Sequence, residues 1–234
     1  ALPISRQPTP PTGHRTRNMD ARSELLLQDC ETVLFIGDSI TDAGRRADAG
    51  RGLGSGYVAQ VADLLAALYP ERRISIVNQG ISGNRVVDLR ERWQRDVISE
   101  QPDWVSISIG INDVWRWFDG NPDSHVAIDD YRRVYRELLD ATVEKTQARL
   151  ILMETSVIGE DVDNESNAML AMYNAAIHEF AGEYDAVLAP MFQSFASSIG
   201  DRPDFEWTGD GVHPLPPGHM LMAVAWLRSV GAAI

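Results

Sequence analysis

The 234 residues are 44% hydrophobic, which supplies one ordinary core and fits a single domain better than two. With 34 acidic against 21 basic side chains, the formal charge of −13 repels nucleic-acid phosphates and anionic lipid surfaces, so neither nucleic acid nor membrane is expected as a partner. Cys30 is the only cysteine, which excludes a disulfide framework and favours a reducing, cytoplasmic setting.

Residues 1–24, rich in Pro, Thr and Arg, read as a flexible or added N-terminal extension, and 25–234 as one domain. No apolar run reaches the roughly 18 residues of a membrane span, and residues 1–23 lack the apolar centre of a secretory signal. The first strand is the β-branched run at 32–36, ending in Gly37-Asp38-Ser39. Gly52-Leu53-Gly54-Ser55-Gly56 follows a polar loop rather than a strand, so it is read as the entry to a helix at 57–69 and not as a dinucleotide site. A second strand at 74–77 leads into Asn78-x-Gly80-x-x-Gly83 and a helix at 86–98. A third, at 104–109, leads into Gly110-Ile111-Asn112-Asp113, and a helix follows at 128–146. Then come a strand at 149–154, a helix at 165–184 and a strand at 185–188. After Asp210-Gly211-Val212-His213-Pro214 a last helix spans 217–230. This alternation predicts an α/β fold, a three-layer α/β/α sandwich on about five parallel strands. In such sheets the reactive site gathers beyond the carboxyl ends of the strands, where the glycine-bearing motifs fall.

A serine hydroxyl is a weak nucleophile unless an imidazole takes its proton, and the imidazole needs a carboxylate to fix its tautomer and steady its cation. Ser39, His213 and Asp210 supply those three groups, the last two being three apart in a Gly- and Pro-bounded loop. Alone, Asp210-Gly211 is an ordinary turn and His213 a cap for the helix after it. Acyl transfer also needs donors for a developing oxyanion. The backbone N–H groups of Ser39 and Gly83 and the side-chain amide of Asn112 suit that task, although glycines and an Asn-Asp pair also make plain loops and turns.

The four blocks occur in order, and together they resemble the SGNH, or GDSL-type, hydrolase family. The resemblance implies a flavodoxin-like fold, with Ser39 as nucleophile, His213 as general base and then acid, Asp210 as its partner, and Ser39, Gly83 and Asn112 as the oxyanion hole. Residues 33–42, Gly80-Ile81-Ser82-Gly83-Asn84, Pro102-Asp103-Trp104-Val105-Ser106, 110–115 and Gly218-His219-Met220 look more narrowly like the family's intracellular acetylxylan esterases. That likeness implies removal of acetyl groups from xylo-oligosaccharides and assembly as a homo-oligomer. The extension and the stretch 206–209 depart from the pattern. Other readings are a lysophospholipase or thioesterase of the same family, with a longer acyl groove, and a non-catalytic carbohydrate-binding module.

Trp115, Trp117 and Trp207, with Phe118, are candidates to line the substrate, although aromatics more often fill cores. No cofactor and no metal are expected, since no His, Cys or carboxylate set has ligand spacing, and Asp38 and Asp42 are expected to bond loop backbone. His14, His125, His178 and His219 are read as structural.

Overall fold

The computed structural model describes residues 24–234. The extension expected over 1–24, with His14, lies outside the described residues except for Glu24. Strands β1 (Thr32–Gly37), β2 (Ser75–Gly80), β3 (Trp104–Ser108), β4 (Arg149–Met153) and β5 (Val187–Ala189) form one all-parallel sheet in the order β2-β1-β3-β4-β5. That is the flavodoxin-like order. Among the described residues eight α-helices surround it: α1 (Ser39–Asp42), α2 (Tyr57–Leu68), α3 (Val86–Asp96), α4 (Ile111–Phe118), α5 (Ile128–Lys145), α6 (Glu165–Glu183), α7 (Met191–Asp201) and α8 (Pro216–Ser229).

The chain steps from β1 outward to β2, then crosses back over β1 to β3. Right-handed crossovers therefore put α2 on one face and α3, α5 and α6 on the other. The last helices return to the first face, where α8 packs against α2 and α7. A strand covered on both faces must be apolar throughout. β1 and β3 obey this: every side chain from Val33 to Ile36 and from Trp104 to Ser108 is buried. The polar intruder Ser106 is satisfied, because Trp226 Nε1–H donates to its Oγ at 3.0 Å. On that face Phe35 meets Tyr57 and Trp226 with ring centroids 5.8 and 5.0 Å apart. Between α5 and α6, Tyr131 packs on Tyr135 and Tyr173, and Tyr135 stacks on Phe180 at 5.4 Å. Each such ring buried contributes on the order of 1.5–3 kcal/mol.

The expected elements are all present, with shifts at their ends. The second strand runs on through Asn78 to Gly80, because those residues stay in parallel register with Phe35 to Gly37. The fifth starts later than 185, where Asp185 turns through a left-handed conformation at φ 50°. Helices α1, α4 and α7 were not expected from the sequence. No helix among the described residues is long and apolar enough to cross a membrane.

The reversal of strand order falls between β1 and β3, and a parallel sheet offers a crevice at that point. Ser39 follows β1 there and Asn112 follows β3.

Candidate active site

β1 ends at Gly37, and Asp38 caps the single turn of α1 by accepting the Ile40 N–H at 2.9 Å. This turn lifts Ser39 out of the sheet as the first residue of α1, half-buried, while Asp38 stays beneath it at 1% exposure. Burial pushes the Asp38 carboxyl up to about 7, against the lowering effects of the Ile40 N–H and of His213.

From the other end of the chain, residues 207–215 form a small hairpin. Thr208 bridges Pro214, Gly209 N–H donates to His213 O at 2.9 Å and Leu215 N–H to Trp207 O at 2.8 Å. The hairpin is stapled by Glu160, one oxygen of which accepts the Trp207 N–H and Thr208 N–H at 2.7 Å each and the Thr208 hydroxyl at 2.9 Å. Gly159 N–H adds a bond to Gly211 O at 2.6 Å. So held, the loop brings His213 Nε2 to 2.8 Å from Ser39 Oγ, across 174 positions of sequence. His213 Nδ1 faces Asp210 Oδ2 at 2.7 Å, and Asp210 Oδ1 accepts the N–H groups of His213 and Val212 at 2.8 and 3.0 Å. Partial burial raises the Asp210 carboxyl, but those bonds outweigh it and hold it at about 2. An ionised Asp210 fixes the proton of a neutral His213 on Nδ1 and leaves Nε2 free to accept one from Ser39. His213 is thus engaged with Ser39 and Asp210, not with the helix that follows it.

The segment 80–84 comes up beside this pair. Gly80 lies so close to α1 that a methyl group there would land on the backbone of Thr41 and Asp42. Ile81 N–H donates to Gly37 O at 3.0 Å, and Asp42 Oδ2 accepts the N–H and hydroxyl of Ser82 at 3.2 and 2.8 Å. Gly83 is exposed with φ 81°, a conformation that costs any side-chain-bearing residue energy. Asn112, buried in the first turn of α4, donates from Nδ2 to Asn84 O at 3.0 Å. An amide nitrogen has two hydrogens, so one anchors Asn112 to the Gly83 loop and the other is left for a ligand.

Asp113, fully buried, accepts the Val86 N–H at 3.0 Å and so ties α4 to the start of α3. Burial pushes its carboxyl up to about 7 as well. Trp115, three residues on from Asn112, sets its ring edge-to-face against His213 at 6.1 Å. Arg116 lies over the Trp115 ring at 5.3 Å and pairs with Asp119 at 2.5 Å. Trp117 is 53% exposed and rests on His125 at 5.4 Å, while the ring of Trp207 packs against Phe205 at 4.8 Å. Of the three candidate tryptophans, Trp115 is the one that meets the Ser39–His213 pair.

His125 bonds Asp113 O at 2.7 Å and His178 bonds Glu154 at 2.6 Å. His219 accepts the Tyr57 N–H at 3.2 Å, and burial lowers its pKa to about 4. Among the described residues no three His, Cys, Asp or Glu side chains are gathered as metal ligands would be. Sequence reasoning missed Glu160, because fifty positions and no motif connect it with Asp210. It also missed the burial of Asp38 and Asp113, which motif position does not reveal.

The model of the GDSL-like lipase/acylhydrolase family matches residues 35–221. An acetylxylan esterase of Geobacillus stearothermophilus is 41% identical over 207 residues, 86% of this chain and 94% of its own. The crystal structure of Axe2, an acetylxylan esterase from the same organism, superimposes with a TM-score of 0.82 at 39% identity, covering 88% of this chain and 96% of Axe2. Axe2 variants described as catalytic mutants replace an aspartate, a serine and a histidine by alanine. LAE5, an alpha/beta hydrolase enzyme from the metagenome of Lake Arreo, Spain, gives a TM-score of 0.82 at 35% identity, covering 89% of this chain and 98% of its own.

Proposed function

The chain belongs to the GDSL-like lipase/acylhydrolase family and is a carboxylic ester hydrolase, and from that premise we propose that it removes acetyl groups from xylo-oligosaccharides with Ser39 as nucleophile. The observation that carries the assignment of roles is the unbroken line from Ser39 Oγ through His213 to Asp210, at 2.8 and 2.7 Å. Ser39 Oγ attacks the ester carbonyl while its proton passes to His213 Nε2. The imidazolium is held by Asp210, and the carbonyl oxygen, now charged, takes hydrogen bonds from Ser39 N–H, Gly83 N–H and the free Asn112 N–H. Collapse breaks the bond to the sugar oxygen, which leaves with the proton from Nε2. Water then gives a proton to the same nitrogen and attacks the acetyl-serine. Collapse breaks the bond to Ser39 Oγ, which takes that proton back from Nε2, and acetic acid leaves, ionising to acetate.

The relatives' substrate supports a carbohydrate ester. So does the open setting of the site, with Gly83 and Asp210 exposed and the partly exposed Trp115 ring beside His213, where it can pack against a sugar. We further place the protein in the cytoplasm, where the exposed thiol of Cys30 stays reduced, and expect a homo-oligomer. Gel filtration with light scattering tests the assembly, and cell fractionation the compartment.

The direct test is acetate release from acetylated xylo-oligosaccharides by the wild type and by Ser39→Ala, with acetyl and octanoyl aryl esters compared in parallel. Sharp preference for acetyl, abolished in Ser39→Ala, is expected. Equal or better turnover of octanoyl esters assigns the chain to the lysophospholipase or thioesterase reading. Tight sugar binding with no turnover assigns it to a binding module.

A further inference from the structure

We propose that Arg92 is a positioning residue for the oxyanion-binding loop, an inference that rests on the serine-esterase reading above. Arg92 lies on the sheet-facing side of α3, between Leu89 and Trp93, and is only 6% exposed. Its guanidinium makes four hydrogen bonds. Nη2 donates to Gly37 O at 3.0 Å, Nη1 to Gln79 O at 2.8 Å and to Asp96 Oδ2 at 2.9 Å, and Nε to Asn84 Oδ1 at 2.8 Å.

Three of those acceptors sit where the three oxyanion donors are set. Gly37 ends β1 two positions before Ser39. Gln79 and Asn84 stand on either side of Gly83, on the strand that enters its turn and on the residue that leaves it. Asn84 in turn receives the amide of Asn112 through its carbonyl, at 3.0 Å. One planar group is thus in contact with the backbone of both the Ser39 and the Gly83 segments, and through Asn84 with Asn112. Arg45, whose Nε donates to Gly80 O at 2.6 Å, is a second hold on the same turn.

Stability alone does not explain such a side chain. Withdrawing a cation from water is expensive even beside Asp96, and well-packed apolar side chains in place of both Arg92 and Asp96 would avoid that cost. What the guanidinium adds is a rigid fork of donors in fixed directions, which sets the distance between the ends of β1 and β2 and the turn above them. Lysine carries the same charge toward Asp96 but has no such fork.

The experiment compares Arg92→Lys with the wild type on an aryl acetate, together with inhibition by a boronic acid whose serine adduct puts a charged oxygen in the oxyanion site. A displacement of the donors by a fraction of an ångström should lower kcat about 10- to 100-fold at a nearly unchanged KM. Boronate affinity should fall in parallel, while the acid limb of the pH profile stays in place because the Ser39–His213–Asp210 line is untouched. A folded Arg92→Lys with wild-type kcat and only a lower Tm overturns the proposal and leaves Arg92 a structural residue. If that variant does not fold, Asn84→Ala removes one arm of the fork and keeps the carbonyl that Asn112 needs. A several-fold loss of kcat there supports the proposal, and an unchanged kcat overturns it. A wild type that neither turns over esters nor reacts at Ser39 instead refutes the esterase reading, so the two failures are distinguishable.

Discussion

Asp38→Asn isolates the cost of a carboxyl buried directly beneath the nucleophile. In the folded protein this group is held at about 7 by burial, whereas its ordinary value is 3.8. Between those two values the folded chain keeps a proton that the unfolded chain has lost. Stability therefore falls as pH rises from about 4 to 7, and the loss is complete above that window. Three pH units at about 1.4 kcal/mol each amount to about 4 kcal/mol, an upper figure. Asn keeps an oxygen to accept the Ile40 N–H, so the cap on α1 survives and the charge alone is removed. Urea unfolding at pH 5 and pH 8 checks this. The stability gained by Asp38→Asn over the wild type should grow by about 2–3 kcal/mol between the two conditions. The remaining slope over the same window combines Asp113, which burial also holds at about 7, with His219, which burial lowers to about 4 and whose contribution has the opposite sign. Both are common to the wild type and the variant and leave the difference between them unchanged. A gain that is the same at both pH values would refute the reasoning, since it would mean that Asp38 titrates alike in the folded and unfolded chains.

Asn112→Ala removes one oxyanion donor and should lower kcat by about 10² to 10³ with little change in KM, read from steady-state kinetics on an aryl acetate. Asp210→Asn keeps the oxygen that caps the His213 and Val212 N–H groups but sets an NH2 against Nδ1, which favours the tautomer with the proton on Nε2. Its kcat should fall about 10³- to 10⁴-fold in the same assay, with the fold unaltered by circular dichroism. Gly83→Ala meets no obstacle nearer than Arg116 Nη2 at 3.8 Å, so its penalty comes from φ 81° alone. An activity loss of about tenfold is expected, together with a slightly lower Tm.

The fold was largely legible because its strands are short apolar runs separated by helical periodicity, and parallel strands covered on both faces leave that signature. α4 was hidden by its opening Asn112-Asp113, a pair that favours turns, and α7 by its serines and Gly200, which weaken an otherwise helical spacing of Met191, Phe195 and Ile199. Ser39, Gly83, Asn112, Asp210 and His213 were legible as motifs, because each is, or lies within two residues of, a glycine or proline that marks a turn or the start of a helix. Their supports were not. Glu160 acts on a hairpin fifty positions away, and no periodicity encodes that. Arg92 did leave a trace: with Asp96 it places an ion pair on the same helix face as Val86, Leu89 and Trp93, where apolar residues belong. A charged pair on a buried face is a signal that sequence patterns read as noise and coordinates turn into a contact.

The central claim is that Ser39, activated by His213, is the nucleophile. Brief exposure to a chromogenic organophosphate, followed by peptide mass mapping, tests it most directly. One phosphoryl group per chain on the peptide bearing Ser39, formed in step with loss of esterase activity, absent in Ser39→Ala and strongly slowed in His213→Ala, is the expected result. An active enzyme whose label lands on another residue, or that is inactivated without modification of Ser39, would contradict it.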